Sequence, residues 1–165
     1  MNKITDLPFF DLPSTSEKTM GPLNFWQRRN LLLVMLPNAD SDYGQKLIEK
    51  LNETYHQYQT LEAEILVVVG GEKEKTEAMY RKLRSPFPFL FDVDRSVYSK
   101  VIENEDTYQV WLLVVDRFGT VWSTNPASKR DDPGELIKNA LESLTFINLQ
   151  CPECGVPDLP PPVDL

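Results

Sequence analysis

Asn30-Leu31-Leu32-Leu33-Val34-Met35-Leu36-Pro37-Asn38-Ala39-Asp40-Ser41-Asp42 is the stretch on which the fold turns. Its first seven residues are almost continuously apolar, and Pro37 stops the run. A run of that length, bounded by turn residues, reads as a strand buried on both faces. The polar cluster that follows is rich in side chains that cap helix N-termini. From there Leu47, Ile48, Leu51, Tyr55, Tyr58 and Leu61 recur at helical spacing, so residues 41–61 read as an amphipathic helix.

Reading outward, the same grammar repeats. Glu64-Ile65-Leu66-Val67-Val68-Val69 is a second buried strand, ended by Gly70-Gly71. Residues 73–84 suit a helix with Ala78, Met79 and Leu83 as its inner face, and Pro86 stops it. Pro88 to Phe91 is a short strand, and Asp94 to Ile102 a turn or two of helix. Val110 to Val115 is the third strong strand. Asp116-Arg117-Phe118-Gly119 turns it into a hairpin partner, Thr120 to Ser123. A last helix, Asp132 to Phe146, opens with a cap and Pro133 in its first turn. Leu136, Ile137, Ala140, Leu141 and Leu144 form its apolar stripe. Towards the N-terminus, residues 8–26 are rich in Pro, Ser and Thr, with one extended candidate at Phe9 to Leu12.

Buried strands joined by helices of this length imply parallel neighbours with right-handed crossovers. The closing hairpin adds antiparallel strands. The fold class that follows is α/β, a three-layer α/β/α sandwich around a central mixed sheet. Residues 1–148 read as one domain. Residues 149–165 hold five of the prolines and read as a separate tail, unable to form regular helix or central strand.

Composition narrows the partners. The chain has 165 residues and a net charge of −8, and its basic clusters, Arg28-Arg29 and Lys129-Arg130, are short. Phosphate backbones repel such a surface, so no nucleic-acid partner is expected. No run approaches the roughly 20 apolar residues that span a bilayer. No apolar leader follows Met1, so the expectation is no membrane and a cytoplasmic location. The aromatics Trp26, Trp111, Trp122, Phe87, Phe89 and Phe91 are expected in the core.

Five segments in order resemble a known family: Pro8-Phe9-Phe10-Asp11-Leu12-Pro13, the stretch Phe25 to Val34, Leu61-Glu62-Ala63-Glu64-Ile65-Leu66-Val67-Val68, Pro86 to Asp94, and Val114-Val115-Asp116-Arg117-Phe118-Gly119-Thr120-Val121. Together they are similar to the thioredoxin-fold redoxins, in the alkyl hydroperoxide reductase / thiol-specific antioxidant branch of the peroxiredoxins. That resemblance implies a thioredoxin-like sandwich over about residues 7–147 and a thiol-dependent oxidoreductase. It implies a nucleophilic cysteine at the start of the helix after the first core strand, often as Cys-x-x-Cys. In this chain Ser41-Asp42-Tyr43-Gly44 falls there, with Ser41 at the nucleophile position and Gly44 at the second cysteine. No sulfur lies anywhere in residues 37–46. Trp111 stands where the family has a proline or small residue, and Val110 where some members have an arginine.

Those replacements bear on chemistry. Peroxide reduction needs a thiolate, stabilised by a helix N-terminus and nearby cations. A serine oxygen has no sulfenic or disulfide state to pass through. Asp40 and Asp42 suit a helix start, and they would raise the pKa of a thiol beside them. A hydrolytic role for Ser41 needs a base, and the sole histidine, His56, lies about 22 Å along the same helix at about 1.5 Å per residue.

Both cysteines sit in Cys151-Pro152-Glu153-Cys154-Gly155. Three readings stand side by side. The motif is the knuckle that presents two sulfurs to zinc, and a second copy across a two-fold axis would complete four ligands. It is equally a Cys-x-x-Cys redox pair, though Glu153 disfavours the thiolate. It is also compatible with an idle surface pair. Beyond zinc in that half-site, no cofactor is expected. Pro160-Pro161-Pro162 favours polyproline II and docking on an aromatic groove, of this chain or of a partner. Two functions follow: a redoxin-like binding or assembly module degenerate at Ser41 and Gly44, with a protein partner or homodimer; or a thiol-disulfide oxidoreductase, or metal-bridged dimer, built on Cys151 and Cys154.

Overall fold

The computed structural model describes residues 5–102, 109–127 and 131–150. Its sheet is built around Asn30–Leu36, here β3 because two short strands, β1 (Leu12–Pro13) and β2 (Thr19–Met20), precede it. All seven residues of β3 are buried. That is possible only for a strand with neighbours on both edges and layers on both faces.

The chain then alternates: helix α1 (Asp42–Thr60), strand β4 (Ala63–Gly70), helix α2 (Lys73–Leu83), strand β5 (Phe89–Asp92), helix α3 (Ser96–Val101), strands β6 (Val110–Val115) and β7 (Val121–Ala127), and helix α4 (Pro133–Leu149). The sheet order is β5-β4-β3-β6-β7. β4 and β5 run parallel to β3, and β6 and β7 are antiparallel additions. Leu33 lies opposite Leu66 on one side and Leu113 on the other.

Period two divides β3 between two cores. Leu32, Val34 and Leu36 face the layer of α1, α2 and α4. Leu31, Leu33 and Met35 face α3 with Leu7 and Phe10 of the N-terminal segment. Helices α1 and α2 share a face for a chiral reason. Both crossovers step the same way, from β3 to β4 to β5, and right-handedness then places both helices on one side. The three-layer thioredoxin-like reading therefore holds, with α3 and the N-terminal segment as the thinner layer.

Several local expectations change. Phe9 is 54% exposed and lies in no strand: an isolated antiparallel bridge joins Asp6 to Thr120, and the first strand starts only at Leu12, across to Met20 in a two-stranded ribbon. Ala78 of α2 is exposed; Thr76 and Met79 are buried instead, with Tyr80 and Leu83 packed beside them. The last strand runs on through Ala127 and includes Pro126, which an edge strand tolerates because the missing N–H serves no neighbour. Helix α4 continues to Leu149, three residues past the expected end. Trp122 is exposed, whereas Trp111, Phe87, Phe89 and Phe91 are buried and Trp26 is half-buried. Trp122 stays at the surface because its indole Nε1 donates to Asp116 Oδ2 at 2.9 Å.

Candidate active site at the carboxyl ends of the parallel strands

Parallel strands bring their carboxyl ends to one side of a sheet, where loops and helix starts converge. Here β3, β4 and β5 deliver Pro37-Asn38, Gly70-Gly71 and Asp92 to Arg95. Ser41 sits at the head of α1 in extended conformation, and its Oγ accepts a hydrogen bond from Gly44 N at 3.0 Å. It is an N-cap, satisfying one of the amides a helix leaves open. The preceding turn is built by Asn38, whose Oδ1 accepts from Asp40 N at 3.0 Å. Asp40 pairs with Lys75 of α2 at 3.1 Å, and that partner raises the Lys75 pKa.

Gly44 occupies the first turn with little room. A Cβ there would meet Leu36 Cδ2 at 3.1 Å and Ser41 Oγ at 3.4 Å. Ser41 and Gly44, the residues that the sequence resemblance sets against the family's two cysteines, thus face each other across one helical turn. What lies between them is a capping hydrogen bond. Tyr43, next in the turn, is buried, and its hydroxyl has no hydrogen-bond partner among the described residues. Its pKa is pushed up to about 12 by burial, with the Asp131 and Asp132 carboxylates adding to the shift. Those carboxylates place the start of α4 beside the start of α1. Asp132 caps α4, its side chain accepting from Gly134 N.

The chain's one histidine is not at this site. His56 is exposed, fifteen residues along the continuous helix α1, about 22 Å away at about 1.5 Å per residue. Trp111 and Val110 lie in β6 next to β3, but on opposite faces. Val110 belongs to the core under α1. Trp111 belongs to the core under α3, with its indole N–H buried and unpartnered among the described residues.

A cleft of about 310 Å³ opens beside the head of α1, lined by Asn38, Asp40, Gly70, Gly71, Lys75 and Arg95. Arg95 crosses it, its Nε donating to Pro37 O at 2.7 Å from a backbone in the left-handed region (φ 59°). Gly70 makes that crossing possible, since a Cβ on it would sit 2.6 Å from Pro37 O and 2.7 Å from Arg95 Cγ. Asp92 anchors the next turn, its buried carboxylate accepting from Val97 N and Tyr98 N at 3.1 and 2.8 Å. Sequence reasoning takes Gly70-Gly71 as a strand stop and passes over Arg95. A glycine pair closing a buried strand was the available signal of a close approach.

Cys151 and Cys154 lie outside the described residues, as does the whole of 151–165. Helix α4 has 17 residues and so carries the chain about 25 Å away from its start near Tyr43. Cys151 and Cys154 follow its last residue, Leu149, by two and five positions in the sequence. Among the described residues no group of three or more His, Cys, Asp or Glu is placed to hold a metal ion.

Residues 5–122 match the AhpC/TSA family. The chain belongs to that family. The solved structures it resembles agree on the fold. Peroxidoxin BcpB from Mycobacterium tuberculosis superposes with a TM-score of 0.74 at 15% identity, covering 86% of this chain and 95% of that one. The bacterioferritin comigratory protein of Xanthomonas campestris, described for its alkyl peroxide reduction activity, gives 0.75 at 13% identity, over 89% and 99%. A putative thiol:disulfide interchange protein DsbE from Chlorobium tepidum gives 0.72 at 12% identity, over 88% and 99%. No curated protein sequence matches the chain. Within the AhpC/TSA family, then, this member carries Ser41 and Gly44 at the head of α1 and both its cysteines past Leu149 in the sequence. Among its described residues no helix is long and apolar enough to cross a membrane.

Proposed function

We propose that this AhpC/TSA-family chain acts as a binding or assembly module, without a classical peroxidase centre in its domain. One observation carries the reading: the Ser41 hydroxyl is engaged as the cap of α1, bonded to the Gly44 amide at the family's second position. A resting thiolate would need that amide and that helix end for itself. The position of the only two thiols in the sequence, past the last residue of α4 and not at the head of α1, supports the same reading. The partner is a protein or a second copy of the chain, and cytoplasmic location fits thiols kept reduced.

The spacing of Cys151 and Cys154 favours a second reading, in which the pair works on its own as a dithiol. Its thiolates would attack a partner disulfide, forming the Cys151–Cys154 bond and returning two electrons and two protons as the partner's two thiols. A zinc-bridged homodimer, with four thiolates from two tails, is the non-redox use of the same atoms.

Hydroperoxide turnover and insulin reduction, each measured on the native chain and on Cys151→Ser, separate these readings. The module reading expects no turnover in either. Insulin reduction lost in Cys151→Ser establishes the dithiol. Hydroperoxide turnover untouched by that substitution refutes both. Metal content with sedimentation mass decides the bridged dimer: zinc at one per two chains supports it, and a metal-free monomer removes it.

A further inference from the structure

At the pole opposite Ser41 the molecule shows an aromatic surface that nothing in the described residues covers. Trp122 of β7 is 36% exposed, Phe146 of α4 58%, and Leu149 79%. The Trp122 and Phe146 rings meet edge to face, centroids 5.9 Å apart. Across the Asp116–Gly119 turn lies a second pair, exposed Phe9 on half-buried Trp26, also edge to face at 5.9 Å. The turn joins the two pairs physically. Asp116 holds the Trp122 indole, and the Trp26 ring rests against Gly119, where an added Cβ would come within 2.9 Å of it. On the Phe9–Trp26 side exposed Arg29 lines the same cleft as the two rings, so a cation is available there beside the apolar surface.

We infer that this surface is the docking site of the chain's own C-terminal segment, residues 157–163. Three features select that occupant. The segment leaves the fold at this pole, because Gln150 caps the end of α4. It has the matching chemistry: Pro157 and Pro160-Pro161-Pro162 with Leu159 and Val163 offer the apolar ridges that aromatic grooves take up in polyproline II form. It also has the matching charge, since residues 151–165 contain Glu153, Asp158 and Asp164 and no lysine or arginine. Length suffices. Ten residues from Gln150 to Pro160 span about 31 Å at about 3.1 Å each, enough to double back from Leu149 over Trp122 towards Trp26. Docking of this kind holds Cys151 and Cys154 at the pole, whether or not they react.

The test uses the full chain. The three indole N–H signals in a ¹H–¹⁵N spectrum are assigned by single Trp→Phe variants and compared between the native chain and one carrying Pro160→Gly, Pro161→Gly and Pro162→Gly. Docking predicts that the Trp122 signal moves and the buried Trp111 signal does not. An unmoved Trp122 signal overturns the inference. Phe146→Ser gives a second reading that leaves the tail sequence intact. The Leu159 and Val163 amides lie away from random-coil positions in the native chain and shift to them in the variant. Random-coil positions already present in the native chain overturn the inference as well. So does a Trp122 shift that appears only as protein concentration rises, because the occupant is then the tail of a second copy.

Discussion

The head of α1 and the chain beyond α4 hold different parts of what the family resemblance implies. At the head of α1 stand the scaffold features: three parallel strand ends, a helix N-terminus, a glycine pair and a cleft crossed by Arg95. Both cysteines come later in the sequence, two and five positions past Leu149, the last residue of α4. A helix N-terminus favours an anion, but it is equally satisfied by a serine oxygen, and Ser41 supplies one. The contrast shows that the physics stabilising a reactive thiolate and the physics stabilising a helix are the same. A serine in that place therefore leaves the fold unharmed.

Substitutions graded from pole to pole sharpen this contrast. Gly70→Ala should have the largest effect, since its new methyl has nowhere to go between Pro37 O and Arg95. Overpacking of that kind costs about 1–3 kcal/mol, read as a lower midpoint in urea unfolding; an unchanged midpoint would mean that the cleft is soft. Ser41→Ala removes the cap of α1 and should cost about 1 kcal/mol, with no change in any thiol reaction. A loss of thiol reactivity in that variant would tie the two poles together after all.

Tyr43→Phe should be close to neutral at pH 7, because the hydroxyl it removes is buried without a partner. Its effect belongs at high pH. The folded-state pKa is about 12 against an ordinary 10. The unfolded chain therefore loses that proton first, and the stability Tyr43 contributes below pH 10 is lost as pH rises from 10 to 12. Phenylalanine removes this share, so the fall in melting temperature over that range becomes shallower. Tyr55, also near 12 and donating to Glu64 Oε1 at 2.7 Å, and fully buried Tyr58, raised further by that burial, supply the part that remains. At the other pole the inferred tail docking makes Phe146→Ser cost more than the roughly 0.5 kcal/mol expected of a bare surface ring; a cost within that bound would show the ring to be uncovered.

The sequence made the central strands and α1 plain, because full burial forces continuous apolar runs and a one-faced helix forces a 3.6-residue stripe. The edge was harder. In β7, Ser123, Thr124 and Asn125 need satisfy only one neighbour and one face, so apolar patterning ends well before the strand does. Ala78 misled because alanine is indifferent to burial, and Thr76 because its hydroxyl finds the Glu72 carbonyl inside the helix. At the candidate site the capping role of Ser41 was visible in its neighbours, whereas Arg95 was not. Its role depends on meeting Gly70 and Pro37 across 25 and 58 residues of sequence, and no local pattern encodes such a meeting.

The most direct test of the account compares the two thiols with and without the fold around them. The reduced, metal-free chain is mixed with hydrogen peroxide in buffer and again in denaturing urea, and the rate of thiol loss is followed in each. If the domain contributes nothing to sulfur chemistry, the two rates agree within the effect of the solvent. A folded chain that reacts orders of magnitude faster would show that the head of α1, or another part of the fold, activates a sulfur after all.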